Sequence, residues 1–332
     1  MNNKTSRQIK GLGLCSGGLD SMLSALVLKR QGIDVTWVTF KTPFFSARNA
    51  EKASEQTGIP LIVKDITDAY MEMMRHPKAG FGKNMNPCMD CHALMFKKAG
   101  RIMTDQGFDF LFSGEVLGQR PKSQNKNSLR YVEKNSGFDG RILRPLCAKR
   151  LPETEIEKKG LVDREQLLDI SGRSRKMQAA LAKELGVTEY PSPAGGCLLT
   201  DPGFSRRLKD LMARHDPVET RFLYLLKSGR HFRIDNATKV IAGRSKFDNQ
   251  HLLRHADKQK DILIKHHFLA GPDVVLTGEF TRENIQKAAE ICAAYTRSKP
   301  GETTKVNITH GEKEDVITVV TPDRTDLREL MI

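Results

Sequence analysis

The sequence predicts an α/β protein, a Rossmann-like parallel sheet with helices on both faces, followed by a smaller C-terminal α+β domain. Three observations predict it. Strand-length apolar runs alternate with helical segments through the first 200 residues, the order that produces right-handed crossovers and a parallel sheet. The loop Ser16-Gly17-Gly18-Leu19-Asp20-Ser21 lies between the first such strand and the first helix, where open α/β sheets bind ligands. Beyond about Leu225 the texture changes to short β-rich runs with two helices. These divisions predict a nucleotide-type domain over 1–200, a linker over 201–224 and a second domain over 225–332.

Element by element, Ile9 to Cys15 reads as a strand and Met22 to Arg30 as a helix. Ile33 to Phe40 is a continuous apolar, β-branched run, the mark of a strand buried on both faces. The alternation continues with a helix from Ala47 to Thr57, a strand from Pro60 to Ile66, helices at Asp68–Arg75 and His92–Gln106, and a strand from Phe108 to Ser113. Leu117 to Asn135 is polar and basic and reads as an irregular substrate-facing loop before the strand Arg141–Leu146. Helices at Arg164–Asp169 and Arg175–Leu185 precede turns at Pro191, Pro193, Gly195 and Gly196. In the last third, 232–234, 239–242, 274–277, 305–308 and 316–320 read as strands, with helices at 249–255 and 282–296. There is no internal repeat and no low-complexity tract.

The glycine loop carries the sharpest chemistry. Gly17 and Gly18 let backbone N–H groups approach a phosphate, and the hydroxyls of Ser16 and Ser21 add donors at a helix N-terminus, which itself attracts an anion. No Lys follows the glycines, so this is not a Walker sequence. Asp20 is expected to reach a nucleotide through Mg2+ rather than to touch phosphate directly.

A formal charge of +14 points to a polyanionic partner. Leu117–Arg150 holds nine basic against two acidic residues, and Asp201–Lys260 holds fourteen against seven. No stretch approaches the roughly 20 apolar residues that span a bilayer, and Met1–Lys10 has no apolar signal core, so a cytoplasmic protein is expected. The six cysteines are then better read as reduced, catalytic or metal-bound than as a disulfide framework. Oligomeric state leaves no signature in the sequence.

Asn86-Pro87-Cys88-Met89-Asp90-Cys91-His92 puts a Cys-x-x-Cys pair at the start of a predicted helix, where the helix field favours thiolate. A third cysteine, Cys197, ends the turn Ala194-Gly195-Gly196-Cys197. Three thiolates from two segments suit three irons of a 4Fe-4S cluster with the fourth iron open to hydrosulfide. The alternatives are a persulfide on Cys88 or Cys91 resolved by Cys197, or a zinc site using His92 as fourth ligand. Cys15, Cys147 and Cys292 fall inside predicted elements and read as small buried apolar residues. His231, His251, His255, His266 and His267 form no metal-ligand pattern.

The loop resembles that of the PP-loop, N-type ATP pyrophosphatases, or adenine nucleotide alpha hydrolase-like proteins. With Cys88, Cys91 and Cys197, residues 9–200 resemble the tRNA thiolation branch, the 4-thiouridine synthetase and 2-thiouridylase families. Thr42-Pro43-Phe44-Phe45-Ser46, Ser113-Gly114-Glu115-Val116-Leu117-Gly118-Gln119 and Ile142-Leu143-Arg144-Pro145-Leu146 are similar to the 4-thiouridine synthetase core; Asn86-Pro87-Cys88 to Cys91 is similar to the 2-thiouridylase cysteine loop. From about Leu225 onward, His231-Phe232-Arg233, Lys239 to Arg244, Asn249, Gly271 to Leu276 and Glu283 to Tyr295 resemble the NFACT-R RNA-binding module. The nucleotide loop starts only 15 residues in, so the longer synthetases' N-terminal tRNA-binding extension is not expected and another element must hold the RNA.

What the resemblance implies is an ATP-dependent tRNA sulfurtransferase that forms AMP and pyrophosphate. ATP is expected at Ser16, Gly17, Gly18, Asp20 and Ser21, with backbone near Thr39, Phe40 and Lys41 reading adenine and with Gly114 and Gln119 completing the site. A uridine oxygen is adenylated, and sulfur from a cluster-bound hydrosulfide or from a persulfide on Cys88, Cys91 or Cys197 replaces it. The sulfur donor is hydrosulfide or a cysteine desulfurase system. Arg120, Lys122, Lys126 and Arg130 are expected on tRNA phosphates beside the site, with Arg233, Lys239 and Arg244 as a second contact area. The Gly114–Gln119 match leans towards 4-thiouridine; 2-thiouridine, or sulfur delivery to a small molecule or carrier protein, stays open. An amidotransferase or lysidine-type ligase would have no use for three such cysteines, and an RNA-binding protein with a dead nucleotide domain would have no reason to keep the whole loop.

Overall fold

The computed structural model describes residues 7–120, 122–192 and 197–332. The chain forms two compact units, Met1–Cys197 and Leu198–Ile332. No helix among the described residues is long and apolar enough to cross a membrane.

The first unit is a five-stranded parallel sheet in the order β3-β2-β1-β4-β5, from β1 (Lys10–Leu14), β2 (Asp34–Lys41), β3 (Leu61–Asp65), β4 (Phe110–Ser113) and β5 (Ile142–Leu143). The crossovers carry α1 (Leu19–Arg30), α2 (Arg48–Thr57), α3 (Thr67–Arg75), α4 (Cys88–Gln106) and α5 (Lys126–Ser136). The middle strands are apolar on both faces because helices cover both. Trp37, Phe110 and Phe112 are fully buried with α1's Met22, Leu23 and Leu28. The expected loop over 117–135 is helical in its second half. Asn125 caps α5 by accepting from Ser128 N at 2.9 Å, and Leu129 and Val132 bury one face, so a basic sequence conceals an amphipathic helix. α7 (Lys176–Glu184), counted after a short α6 (Glu155–Lys158), closes the unit against α1.

The second unit is an antiparallel six-stranded sheet in the order β11-β10-β8-β9-β7-β6. Its strands are β6 (Arg230–Arg233), β7 (Lys239–Ala242), β8 (Ile262–His266), β9 (Asp273–Thr277), β10 (Thr303–His310) and β11 (Lys313–Val320). Successive residues face opposite sides: Val240, Val274 and Leu276 join α11 (Arg282–Ala294) in one core, while Ile241, Val275 and Leu263 join α9 (Thr220–Leu225) and α10 (Lys246–His255) in another. Strand β8 went unread because Lys265 interrupts its apolar run. Residues 201–224, expected as a linker, instead form α8 (Pro202–Met212) and α9 within this unit. Asp201 caps α8 by accepting from Phe204 N, Pro202 starts it, and Phe204, Leu208 and Leu211 bury its apolar stripe.

Candidate nucleotide and thiol site

The chemistry gathers where the parallel strands end. After Leu14 the chain passes through Cys15 and turns at Gly17, whose φ is +71°. A Cβ on Gly17 would lie 2.1 Å from the backbone carbon of Asn49, so only glycine lets the loop press against α2. α1 begins at Leu19 with Gly18 as its N-cap and no capping side chain, leaving its first N–H groups for a ligand. Ser16 is exposed beside them. Ser21 is not the phosphate donor the sequence suggested: it is buried, and its hydroxyl donates to the Gly18 carbonyl at 2.7 Å. Its place in the first helical turn points it inward. Burial pushes the Cys15 thiol up to about 11, as befits an inert core cysteine.

Gly114 follows β4, and a Cβ there would sit 2.3 Å from the Asp20 carbonyl oxygen, so the β4 loop lies directly on α1's first turn. Asp20 Oδ2 accepts from Gln119 Nε2 at 2.7 Å and faces Arg175 at 3.5 Å. Gln119 Oε1 in turn accepts from Gln178 Nε2 at 3.3 Å. Gln119, expected to touch nucleotide, is thereby a partner of Asp20. Asp20 Oδ1 is buried without a hydrogen-bond partner among the described residues. An orphaned carboxylate oxygen beside a phosphate cradle suits Mg2+, which takes one or two carboxylates and leaves the rest of its shell to phosphates and water. The sequence places Arg175 and Gln178 only as helix residues, because Arg175 meets Asp20 across 155 residues and Gln178 meets Gln119 across 59.

β2 outruns β1. The ladder between them ends at Val38, so Thr39, Phe40 and Lys41 pass the loop with backbone unpaired to β1 while still paired to Val63, Lys64 and Asp65 of β3. The turn Thr42–Phe45 then brings Phe44 and Phe45 against the Tyr70 ring, with centroids 5.5 and 5.4 Å away.

Tyr70 connects this turn to the cysteines. Its hydroxyl bonds Cys91, and Cys91, Cys197 and Cys88 all act on it electrostatically, which puts the three thiols in one neighbourhood of the first unit. Cys88 is half-buried and receives an N–H from Asn86 Nδ2 at 3.3 Å; Cys197 is exposed. The turn Ala194–Gly196 lies outside the described residues. The expected thiolate at Cys91 is not what the structure provides, because burial outweighs the helix field and pushes this thiol up to about 12. Among the described residues no group of three His, Cys, Asp or Glu side chains is placed to hold a metal ion.

His92, the candidate fourth zinc ligand, instead binds Glu115 Oε1 through Nδ1 at 2.8 Å. Glu115 also accepts from Arg144 Nε at 3.0 Å, and Arg144 bonds Glu133 through Nη1. Burial alone would raise the Glu115 carboxyl, but Arg144 and His92 override it and hold it down at about 2. This buried chain fastens α4, and with it the Cys88–Cys91 turn, to the loop that carries Gly114.

The basic residues divide. Arg120, Lys122 and Lys126 are exposed as expected. Arg130 is exposed but paired with Asp139 and Glu133. In the second unit Arg233 and Lys239 are not surface contacts: both turn inward onto Asp210 of α8, at 2.5 and 3.4 Å. Arg244 is half-exposed and held by Asp248 at 2.7 Å.

Comparison with known proteins fits this division. Residues 6–158 match the family model described as thiamine biosynthesis protein (ThiI), and residues 229–330 match the NFACT protein RNA binding domain. The chain is 30% identical over 132 residues to the tRNA-specific 2-thiouridylase MnmA of Methylobacterium nodulans, covering 34% of this chain and 35% of that protein. It is 24% identical over 218 residues to the MnmA of Clostridioides difficile, covering 58% and 56%. It thus spans about a third to just over half the length of these relatives. A solved structure titled as a predicted subunit of tRNA methyltransferase from Methanocaldococcus jannaschii aligns over 53% of this chain and 76% of that one at 18% identity and a TM-score of 0.34. The first unit is thus similar to ThiI over residues 6–158 and the second to the NFACT RNA binding domain over residues 229–330, on a parallel sheet of the PP-loop kind.

Proposed function

We propose that the protein is an ATP-dependent tRNA sulfurtransferase that adenylates a uridine carbonyl oxygen and replaces it with sulfur. The observation that carries this reading is the convergence of Cys88, Cys91 and Cys197 on Tyr70, in the unit that holds the Ser16–Ser21 loop and Asp20. A nucleotide site alone serves many ligases; a thiol trio tied to it serves sulfur transfer.

ATP lies with its phosphates on the uncapped N-terminus of α1 and its adenine along Thr39–Lys41. Asp20 Oδ1 would hold Mg2+ in part, and the ion would supply charge stabilisation for the departing pyrophosphate. The uridine oxygen attacks the α-phosphorus, and the bond to pyrophosphate breaks. A persulfide on Cys88, favoured by the first turn of α4, then attacks the activated ring carbon, and AMP leaves with the oxygen. Cys197 attacks the Cys88 sulfur of the resulting disulfide, releasing thiouridine and leaving a Cys88–Cys197 disulfide that an external dithiol reduces. Cys91, held protonated by burial, positions rather than attacks. Sulfur enters from a donor such as a cysteine desulfurase system, and Arg120, Lys122 and Lys126 hold tRNA phosphates.

The test supplies labelled sulfur, ATP and mixed tRNA anaerobically and digests the RNA. Label in a thionucleoside is expected, and its retention time distinguishes the 4-thio from the 2-thio isomer. Cys197→Ala should cut the yield at least about 1,000-fold while AMP still forms; normal yield from that variant would remove Cys197 from the chemistry. Label in a small molecule or carrier protein instead would overturn the RNA substrate. The persulfide route also predicts no broad visible absorbance from anaerobically purified protein, and such a band would replace it with the cluster route.

A further inference from the structure

α10 carries Phe247, His251 and His255 at four-residue spacing, so the three rings share one face. They form an unbroken row with Tyr224 of α9: Phe247 stacks on His251 at 6.2 Å, His251 meets His255 at 4.6 Å, and His255 lies parallel to Tyr224 at 4.6 Å and 7°. Lys227 sits 4.8 Å over the Tyr224 ring, and Ser228 Oγ fixes His251 through Nδ1 at 3.1 Å. Phe247 is 71% exposed, far beyond what a core aromatic shows. Arg254 and Lys246 are exposed beside the row, and the acid on this helix face, Asp248, is buried and taken by Arg244.

A row of partly exposed rings ending in the exposed Phe247, flanked by cations that form no ion pair among the described residues, matches two features of one ligand. Flat bases stack on rings, and phosphates pair with Lys and Arg. A protein partner would need an apolar face; imidazoles and a phenol flanked by cations suit nucleotides better. Burial, with the nearby Lys227 and Arg254, holds His251 and His255 below the usual imidazole range, so both rings remain neutral stacking surfaces at pH 7.

We propose that the row Phe247–His251–His255–Tyr224 is a stacking platform for unpaired bases of RNA, with Lys227 and Arg254 on the adjoining phosphates. The platform rests on the RNA-substrate part of the proposed function and gives the second unit a contact area that Arg233 and Lys239, being internal, do not.

The experiment measures binding of the full chain to a fluorescent unstructured RNA of about a dozen nucleotides and to a fully paired duplex, across a salt series. Phe247→Ala should weaken single-strand binding about 10-fold with an unchanged salt slope, and Phe247→Trp should retain it. Lys227→Ala should lower the salt slope by about 1. Phe247 is exposed, so its removal leaves the fold intact; matching melting temperatures check this. Wild-type single-strand affinity in the Phe247→Ala, His255→Ala double variant overturns the platform, as does an equal loss on duplex. Thionucleoside yield separates the two readings: unchanged RNA affinity with normal thiolation by the double variant sinks the platform alone, whereas ring-dependent binding without any thionucleoside from the wild-type chain sinks the sulfurtransferase alone.

Discussion

Asp20 in the first unit and Asp210 in the second sit in opposite situations. Asp210 is met by Arg233, Arg214 and Lys239, a complete set of partners drawn from its own unit. Asp20 has Gln119 and Arg175 on one oxygen and, among the described residues, no hydrogen-bond partner on the other. The sheets explain the contrast. Parallel strands deliver unrelated loops to one end, where groups await a ligand, whereas the antiparallel sheet and α8 close an ion pair that is finished without one. On the proposed function, Asp20 is the carboxylate with an oxygen left for a ligand, and Asp210 the one whose partners are already in place.

The largest effect should come from the incomplete site. Asp20→Ala is expected to slow AMP formation about 100-fold or more in single-turnover assays. Its melting temperature should fall only by what the Gln119 bond and the Arg175 pair at Oδ2 contribute, because Oδ1 has no hydrogen-bond partner to lose among the described residues. An unchanged AMP burst would take Asp20 out of the nucleotide site and end the contrast with Asp210.

A finished ion pair supports the active end as well, and it behaves like Asp210. Glu115→Gln leaves Arg144, which is 1% exposed, with Glu133 as its remaining carboxylate. Breaking one member of a buried pair costs about 3 kcal/mol, to be read from urea melts at pH 7. The pH dependence has a definite sign. Glu115 is held at about 2 against an ordinary 4.5, so its contribution is fully present above about pH 4.5 and is lost as pH falls towards about 2. The gap between wild type and variant should therefore shrink across that window; a constant gap would show that Glu115 is not ionised in the native protein.

Sequence reading was strong where pattern is local. The alternation of strands and helices, the glycine loop and the two types of unit were legible because period, punctuation and residue type settle them within a few residues. It failed where long-range neighbours decide. Cys91 looks like an activated thiol at a helix start, yet burial raises it and its hydrogen-bond partner is Tyr70, from a different crossover. Ser21 looked like a phosphate donor until the first helical turn faced it inward. The aromatic row is hidden for a different reason: His251 and His255 offer no metal-ligand spacing, and only their four-residue rhythm with Phe247 points to a shared helix face.

Charge was the least transferable reading, and the smallest expected effect tests it. Arg120, Lys122 and Lys126 are exposed, so replacing all three with Ala should weaken RNA binding about 10-fold and flatten its salt slope. Lys239 carries the same charge in the sequence but is 5% exposed and bonded to Asp210. Lys239→Met should leave both RNA affinity and salt slope unaltered. Stability should respond instead, and in an unusual direction. Burial depresses the ammonium to about 8 against an ordinary 10.5, with Asp210 only partly offsetting it, so the unfolded chain binds more protons between those values. Wild-type stability consequently rises with pH across that window, and the Met variant should lose the rise while being as stable or more stable at pH 7, since Arg233 and Arg214 still neutralise Asp210. A fall in RNA affinity with an unchanged melting profile would return Lys239 to the surface role its sequence suggested and would make the two aspartates less different than their surroundings imply.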